Sequence, residues 1–143
     1  MDKVLAISMG EPAGVGPDLI LALYAQRAGL ELPDFCVFGN ADFLSARAAR
    51  LGLTLDIVPV GAGEAADAFG TGLPVVDVGG SVADQPGQIA PETARLVIGA
   101  IEMAVTATLG GSCRALVTAP IHKGALYHAG FRHPGHTEFL AEL

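Results

Sequence analysis

The sequence predicts an α/β fold, a mostly parallel β-sheet covered by helices on both faces. Short aliphatic runs of strand length alternate with longer stretches of helical composition. The short runs are apolar throughout, as strands buried on both faces are. Nineteen glycines supply the tight connections that such alternation needs.

Each element follows from local chemistry. Residues 3–8 (KVLAIS) form an aliphatic run closed by a glycine-rich loop, 9–17 (MGEPAGVGP), and read as a strand. Residues 18–28 (DLILALYAQRA) have helical composition and stop at Gly29. A second strand, 35–39 (FCVFG), precedes a second helix, 41–51, which Gly52 ends. Residues 54–60 (TLDIVPV) and 73–78 (LPVVDV) read as strands, joined by an exposed Gly/Ala-rich connection at 61–72. Pro91 opens a helix with Glu92 in its first turn, where a carboxylate suits the dipole, and that helix runs to about Leu109. Residues 114–118 (RALVT) form the last strand. The final HTEFLAEL reads as a helix opening, with Thr137 as its cap and Glu138 complementing its dipole. Phe139, Leu140 and Leu143 would then lack a partner element, so the chain reads as the N-terminal part of a longer protein. Residues 1–130 are expected to form a first α/β domain and 131–143 the start of a second.

Composition narrows the function. The chain has 143 residues, 51% of them hydrophobic and 16% charged, enough for one domain with a core and too apolar for a disordered chain. A net charge of −7 repels phosphate backbones and anionic lipid, so neither nucleic acid nor membrane is expected as a partner. The longest nearly apolar run, 96–109, contains Glu102 and is too short to span a bilayer. The N-terminal MDKVLAISMGEP has no signal-peptide pattern, and the chain reads as cytoplasmic. Cys36 and Cys113 make no CxxC pair and read as buried, reduced thiols.

Against this acidic background one segment stands apart. APIHKGALYHAGFRHPGHTEFL, residues 119–140, holds all four histidines (His122, His128, His133 and His136) together with Lys123 and Arg132. His122 and Lys123 come just after the 114–118 strand, by way of Ala119–Pro120, and in open parallel sheets ligands bind beyond the carboxyl ends of strands. His136 and Thr137 follow the Pro134–Gly135 turn and open a helix, offering an imidazole and a hydroxyl. His128 and His133 read as solvated or half-buried surface residues. No histidine pair has a third ligand at metal-site spacing, and there is no HExxH, so no metal site is expected within this chain. Nor is there a serine in GxSxG. The loop MGEPAGVGPDLI, with Gly10, Gly14 and Gly16 between strand and helix, has two readings. It is an anion-binding loop, or a stiff βα turn, the second favoured by Glu11 and by a spacing that fits neither GxxxxGK[ST] nor GxGxxG.

Three stretches, GEPAGVGPDL, LVTAPIHKGAL and GHTEFLAE, closely resemble the 4-hydroxythreonine-4-phosphate dehydrogenase family of vitamin B6 biosynthesis. The resemblance implies a homodimeric two-domain α/β enzyme of the isocitrate/isopropylmalate dehydrogenase type. It implies oxidation of the secondary alcohol of 4-phosphooxy-L-threonine by NAD or NADP, then decarboxylation to 3-amino-2-oxopropyl phosphate. A divalent metal (Zn, Mg or Co) would polarise the reacting oxygen. The family's substrate-binding His-Thr carries over to His136 and Thr137, with Lys123, His122, Glu11 and Gly14 as secondary candidates. Family members exceed this chain in length, and their metal ligands and most of the nicotinamide site are expected downstream of residue 143. Related readings are a dehydrogenase of threonate or erythronate 4-phosphate, a phosphate acyltransferase-like protein, or a non-catalytic phosphate-binding module. The 143-residue chain by itself is therefore predicted to show no NAD+ reduction with phosphorylated hydroxythreonine and Zn2+, and absorbance at the NADH band checks this directly.

Overall fold

A computed structural model describes residues 2–143. Five strands make one sheet: β1 (Leu5–Ser8), β2 (Phe35–Gly39), β3 (Ile57–Pro59), β4 (Leu73–Asp77) and β5 (Ala115–Thr118). Their order is β3-β4-β2-β1-β5, and every adjacent pair is parallel. β2 is buried along its whole length, which is why its sequence is apolar without alternation. In β1, Leu5 faces Phe35 on one side and Ala115 on the other, so β1 is flanked by two strands that lie far apart in sequence.

Side chains of alternating strand residues go to opposite faces. Ile7, Phe35, Val37, Leu73 and Val75 join a core with α1 (Gly16–Ala25) and α2 (Ala41–Arg50). Ala6, Cys36, Phe38 and Val76 join another core with α4 (Ala94–Leu109), which meets the sheet through Ala100 and Ala104. Helices therefore cover both faces, as the alternation of strands and helices predicts. Cys36 and Cys113 lie in the α4 core as free buried thiols, Sγ atoms 4.0 Å apart. Burial in apolar surroundings pushes both thiols up from their ordinary range, so neither forms a thiolate readily.

Several expectations are corrected. Residues 61–72 are not a plain exposed connection. They contain a 3-10 turn (Ala62–Glu64) and the short helix α3 (Ala65–Ala68), with Ala65 fully buried. Phe69 closes this segment into the core. Its ring meets Phe35 at 5.1 Å and Tyr24 at 5.3 Å, and its carbonyl accepts the Tyr24 hydroxyl at 2.7 Å. A Gly/Ala-rich composition hides this, because one aromatic residue makes the contacts and all its partners are distant in sequence. β3 is shorter than residues 54–60, covers Ile57–Pro59 and sits at the sheet edge, where Pro59 costs no ladder bond.

Residues after β5 form two helices, α5 (Lys123–His128) and α6 (His136–Glu142). Phe139 does have a partner: with Phe131 and Leu126 it packs on Val97 and Ile101 of α4. Leu140 joins that cluster partly, and Leu143 remains 45% exposed. Gly135, not Thr137, occupies the cap position of α6, and Thr137 lies in its first turn beside Glu138.

The loop after β1 is held against the residues after β5 at a distance only glycine permits. Gly10 has φ 77°, and a Cβ there would collide with the Pro120 carbonyl oxygen. A Cβ on Gly16 would lie 2.8 Å from the Met9 oxygen and 2.9 Å from the Ala119 Cβ. Gly10→Ala is expected to destabilise by more than about 2 kcal/mol, from positive φ and overlap together. Gly63→Ala, in open space, should stay within about 1 kcal/mol of wild type. Urea unfolding midpoints compare the two.

Candidate functional site

The sheet order creates a switch point. From β1 the chain moves by way of α1 to β2 on one side; from β4 it crosses by way of α4 to β5 on the other. The carboxyl ends of β1 and β5 therefore lie side by side with their connections diverging, the arrangement in which α/β sheets bind ligands. The loop of residues 9–16 and residues 119–123 meet there, and hydrogen bonds stitch them together. The Ala119 amide donates to the Ser8 oxygen at 3.2 Å, and the Glu11 amide to the Pro120 oxygen at 2.9 Å.

Within the loop, amides are used by the protein itself. The Gly14 amide donates to the Glu11 carbonyl at 3.0 Å, and the Ala13 amide to Glu11 Oε1 at 3.2 Å. With the Glu11, Ala13 and Gly14 amides all engaged, the bonding is that of a stiff βα turn rather than an open anion cradle. Glu11 itself is only 6% exposed. A cavity of about 310 Å³ opens beside it, lined by Glu11, Gly14 and Val15 on one wall, Gly87 and Ile89 on a second, and His122 on a third. His122 caps α5: its Nδ1 accepts the Ala125 amide at 3.1 Å. In the neutral ring that leaves Nε2 as the protonated nitrogen, a donor.

Lys123, the first residue of α5, belongs to a second group. A Cβ built on Gly135 would lie 3.7 Å from Lys123 Nζ, so the ammonium sits at the start of α6 beside His136. His136 is half-buried, and its Nε2 has no hydrogen-bond partner in the protein. Burial lowers its pKa below the ordinary 6.5, and the nearby Lys123 charge lowers it further. The imidazole is thus neutral at pH 7. Thr137 follows it, exposed.

The sequence-derived candidates thus fall into two neighbouring sets, Glu11, Gly14 and His122 around the cavity and Lys123, His136 and Thr137 next to it, joined at the His122–Lys123 peptide. His128 is exposed, and half-buried His133 pairs through Nε2 with Glu142 at 3.0 Å. Among the described residues no group of three or more His, Cys, Asp or Glu side chains converges to hold a metal ion.

Sequence reasoning missed Arg47 and Asp84. Arg47 is 1% exposed and donates to Asp84 Oδ1 at 2.6 Å, Asp18 Oδ1 at 2.7 Å and the Pro12 carbonyl at 2.6 Å. Burial opposes the guanidinium charge, but these carboxylate bonds outweigh it and raise the pKa. Burial likewise opposes the Asp84 charge, yet hydrogen bonds from Arg47 and Arg50 hold that carboxyl below its usual range. A signal was present: Arg47 follows Phe43 by four residues and Leu44 by three, so it lies on the helix face that enters the core.

The lowered pKa of His136 has a definite sign. The unfolded chain takes up a proton as pH falls below 6.5 while the folded chain resists it, so folding stability drops over that interval. His136→Gln is expected to flatten the stability change between pH 7 and the folded pKa of the histidine. Urea midpoints for the two proteins across this range measure the difference.

Comparison with known proteins gives a consistent result. A curated 4-hydroxythreonine-4-phosphate dehydrogenase of Bradyrhizobium diazoefficiens is 45% identical over 149 residues, covering 99% of this chain and 43% of that protein. The solved structure of a 4-hydroxythreonine-4-phosphate dehydrogenase from Burkholderia phymatum superposes with TM-score 0.88 at 29% identity, over 99% of this chain and 43% of that one. The enzyme of the same description from Klebsiella pneumoniae gives TM-score 0.80 at 30% identity, over 99% and 44%. The chain therefore spans less than half the length of these relatives. Residues 31–143 match the family model described as pyridoxal phosphate biosynthetic protein PdxA, and the chain belongs to that family.

Proposed function

We propose that this chain is the substrate-binding N-terminal part of a dehydrogenase that oxidises the secondary alcohol of 4-phosphooxy-L-threonine. Loss of CO2 from the resulting β-keto acid yields 3-amino-2-oxopropyl phosphate, on the route to pyridoxal 5'-phosphate. NAD+ or NADP+ is the hydride acceptor, and Zn2+, Mg2+ or Co2+ the polarising ion. The whole enzyme works as a cytoplasmic homodimer, with residues 131–143 leading into its second domain. Among the described residues no helix is long and apolar enough to cross a membrane.

The observation that carries this reading is the pairing of Lys123 with a neutral, half-buried His136 at the switch point. The substrate bears phosphate, carboxylate and ammonium groups, and the protein carries a net charge of −7, so a local cation is needed to hold the anion. Lys123 supplies it. His136 Nε2, buried and without a protein partner, bonds a polar substrate atom, and the Thr137 hydroxyl offers a second bond. In this reading the segment binds and orients substrate.

In the full-length enzyme, His136→Ala and Thr137→Val are each expected to lower kcat/KM for 4-phosphooxy-L-threonine about 10- to 100-fold, the worth of one hydrogen bond to a charged ligand. Lys123→Ala should raise KM for the phosphorylated substrate. A steady-state assay that includes threonate and erythronate 4-phosphate tests substrate choice. Faster turnover of either acid than of the amino acid would replace the proposed substrate.

A further inference from the structure

Arg47 is a buried cation whose polar partners lie mainly in the two loops that wall the cavity, outside its own helix. Its Nη2 donates to the Pro12 carbonyl at 2.6 Å and its Nη1 reaches the Gly14 carbonyl at 3.4 Å, so the guanidinium grips the loop on either side of Ala13. Its Nε binds Asp84 Oδ1 at 2.6 Å, and Arg50 holds the other oxygen of that carboxylate at 2.6 Å. Asp84 opens the stretch that brings Gly87 and Ile89 to the cavity, and the Gly87 amide donates to the Ala13 carbonyl at 2.8 Å. The Ala13 amide in turn donates to the Glu11 carboxylate at 3.2 Å.

These bonds form a chain. The guanidinium fixes the carbonyls on both sides of Ala13; the Ala13 amide then orients the buried Glu11 carboxylate, and its carbonyl fixes Gly87. We infer that Arg47 is a positioning residue, which sets the geometry of the Glu11, Gly87 and His122 cavity and, through the His122–Lys123 peptide, of the adjoining substrate group. The inference rests on the dehydrogenase reading above. Lysine cannot replace it. A guanidinium delivers donors in a planar fork to four acceptors at once, whereas an ammonium is a point charge with no such spread.

The test uses the full-length protein and four variants. Arg47→Lys keeps the charge and loses the fork. Asp84→Asn weakens the link to the second wall. Asp18→Asn, at a side chain 41% exposed, is a milder perturbation of the same cation. Leu44→Ala destabilises the same helix through the core alone. Arg47→Lys and Asp84→Asn should raise KM for the phosphorylated substrate about tenfold with kcat within about threefold, and Asp18→Asn should do so to a smaller degree. Leu44→Ala should lower Tm with KM unchanged.

Amide hydrogen exchange gives a readout independent of turnover. The Gly87 and Glu11 amides should exchange at least about tenfold faster in Arg47→Lys, with Val37 in β2 unchanged. If Arg47→Lys lowers Tm as Leu44→Ala does, with KM and both loop amides unaltered, the role is structural only and the inference fails. If Arg47→Lys does not fold, Asp84→Asn and Asp18→Asn carry the same two outcomes. A wild-type enzyme that turns over none of the proposed substrates would sink the dehydrogenase reading, and loop exchange would still decide the positioning role.

Discussion

The structure hangs on the side-by-side exit of β1 and β5. Their pairing is continued past the last strand residues by the Ala119 amide on Ser8 and the Glu11 amide on Pro120. Two backbones can come this close only where no Cβ intervenes, and Gly10 and Gly16 stand at the contact points. Everything chemically useful is placed by that contact. It brings the Glu11 loop to His122, starts α5 with Lys123 beyond it, and leads on to α6 with His136.

Charge is distributed in keeping with this geometry. The chain is acidic overall, and its cations near the site have different tasks. Arg47 is fully engaged by protein carboxylates and carbonyls, so its charge is spent on holding loops. Such a buried network adds little net stability relative to an apolar replacement, but removing one member leaves an uncompensated charge. Lys123 is exposed, forms no ion pair among the described residues, and lies against a histidine that stays neutral. One cation organises the walls; the other remains available to an anionic ligand.

The α4 helix links core and site. Ala100 and Ala104 let it lie close on the sheet, while Val97 and Ile101 receive Leu126, Phe131 and Phe139. Phe131 and Phe139 meet at 5.1 Å, and His133 stands 5.1 Å from the Phe139 ring. The segment bearing His136 is thus fixed by aromatic packing on α4 rather than by a capping side chain, since Gly135 provides none. The sequence announces this helix by its composition, and packing on α4 fixes where it sits.

The sequence by itself determined the parallel α/β class, because uninterrupted apolar runs such as FCVFG are affordable only to strands covered on both faces. It also singled out His136, Thr137 and Lys123 as candidates for binding, since they stand in a histidine- and lysine-bearing segment of an otherwise acidic chain. Only the tertiary structure decided the strand order, and with it the switch point. Local pattern says that β5 is a strand but not that it passes β4 and β2 to lie beside β1. It alone decided that Phe69 is core and that Arg47 is buried, because the partners of both lie far along the chain. Short-range periodicity records which side of a helix or strand is apolar; what that side meets is settled by packing between distant elements.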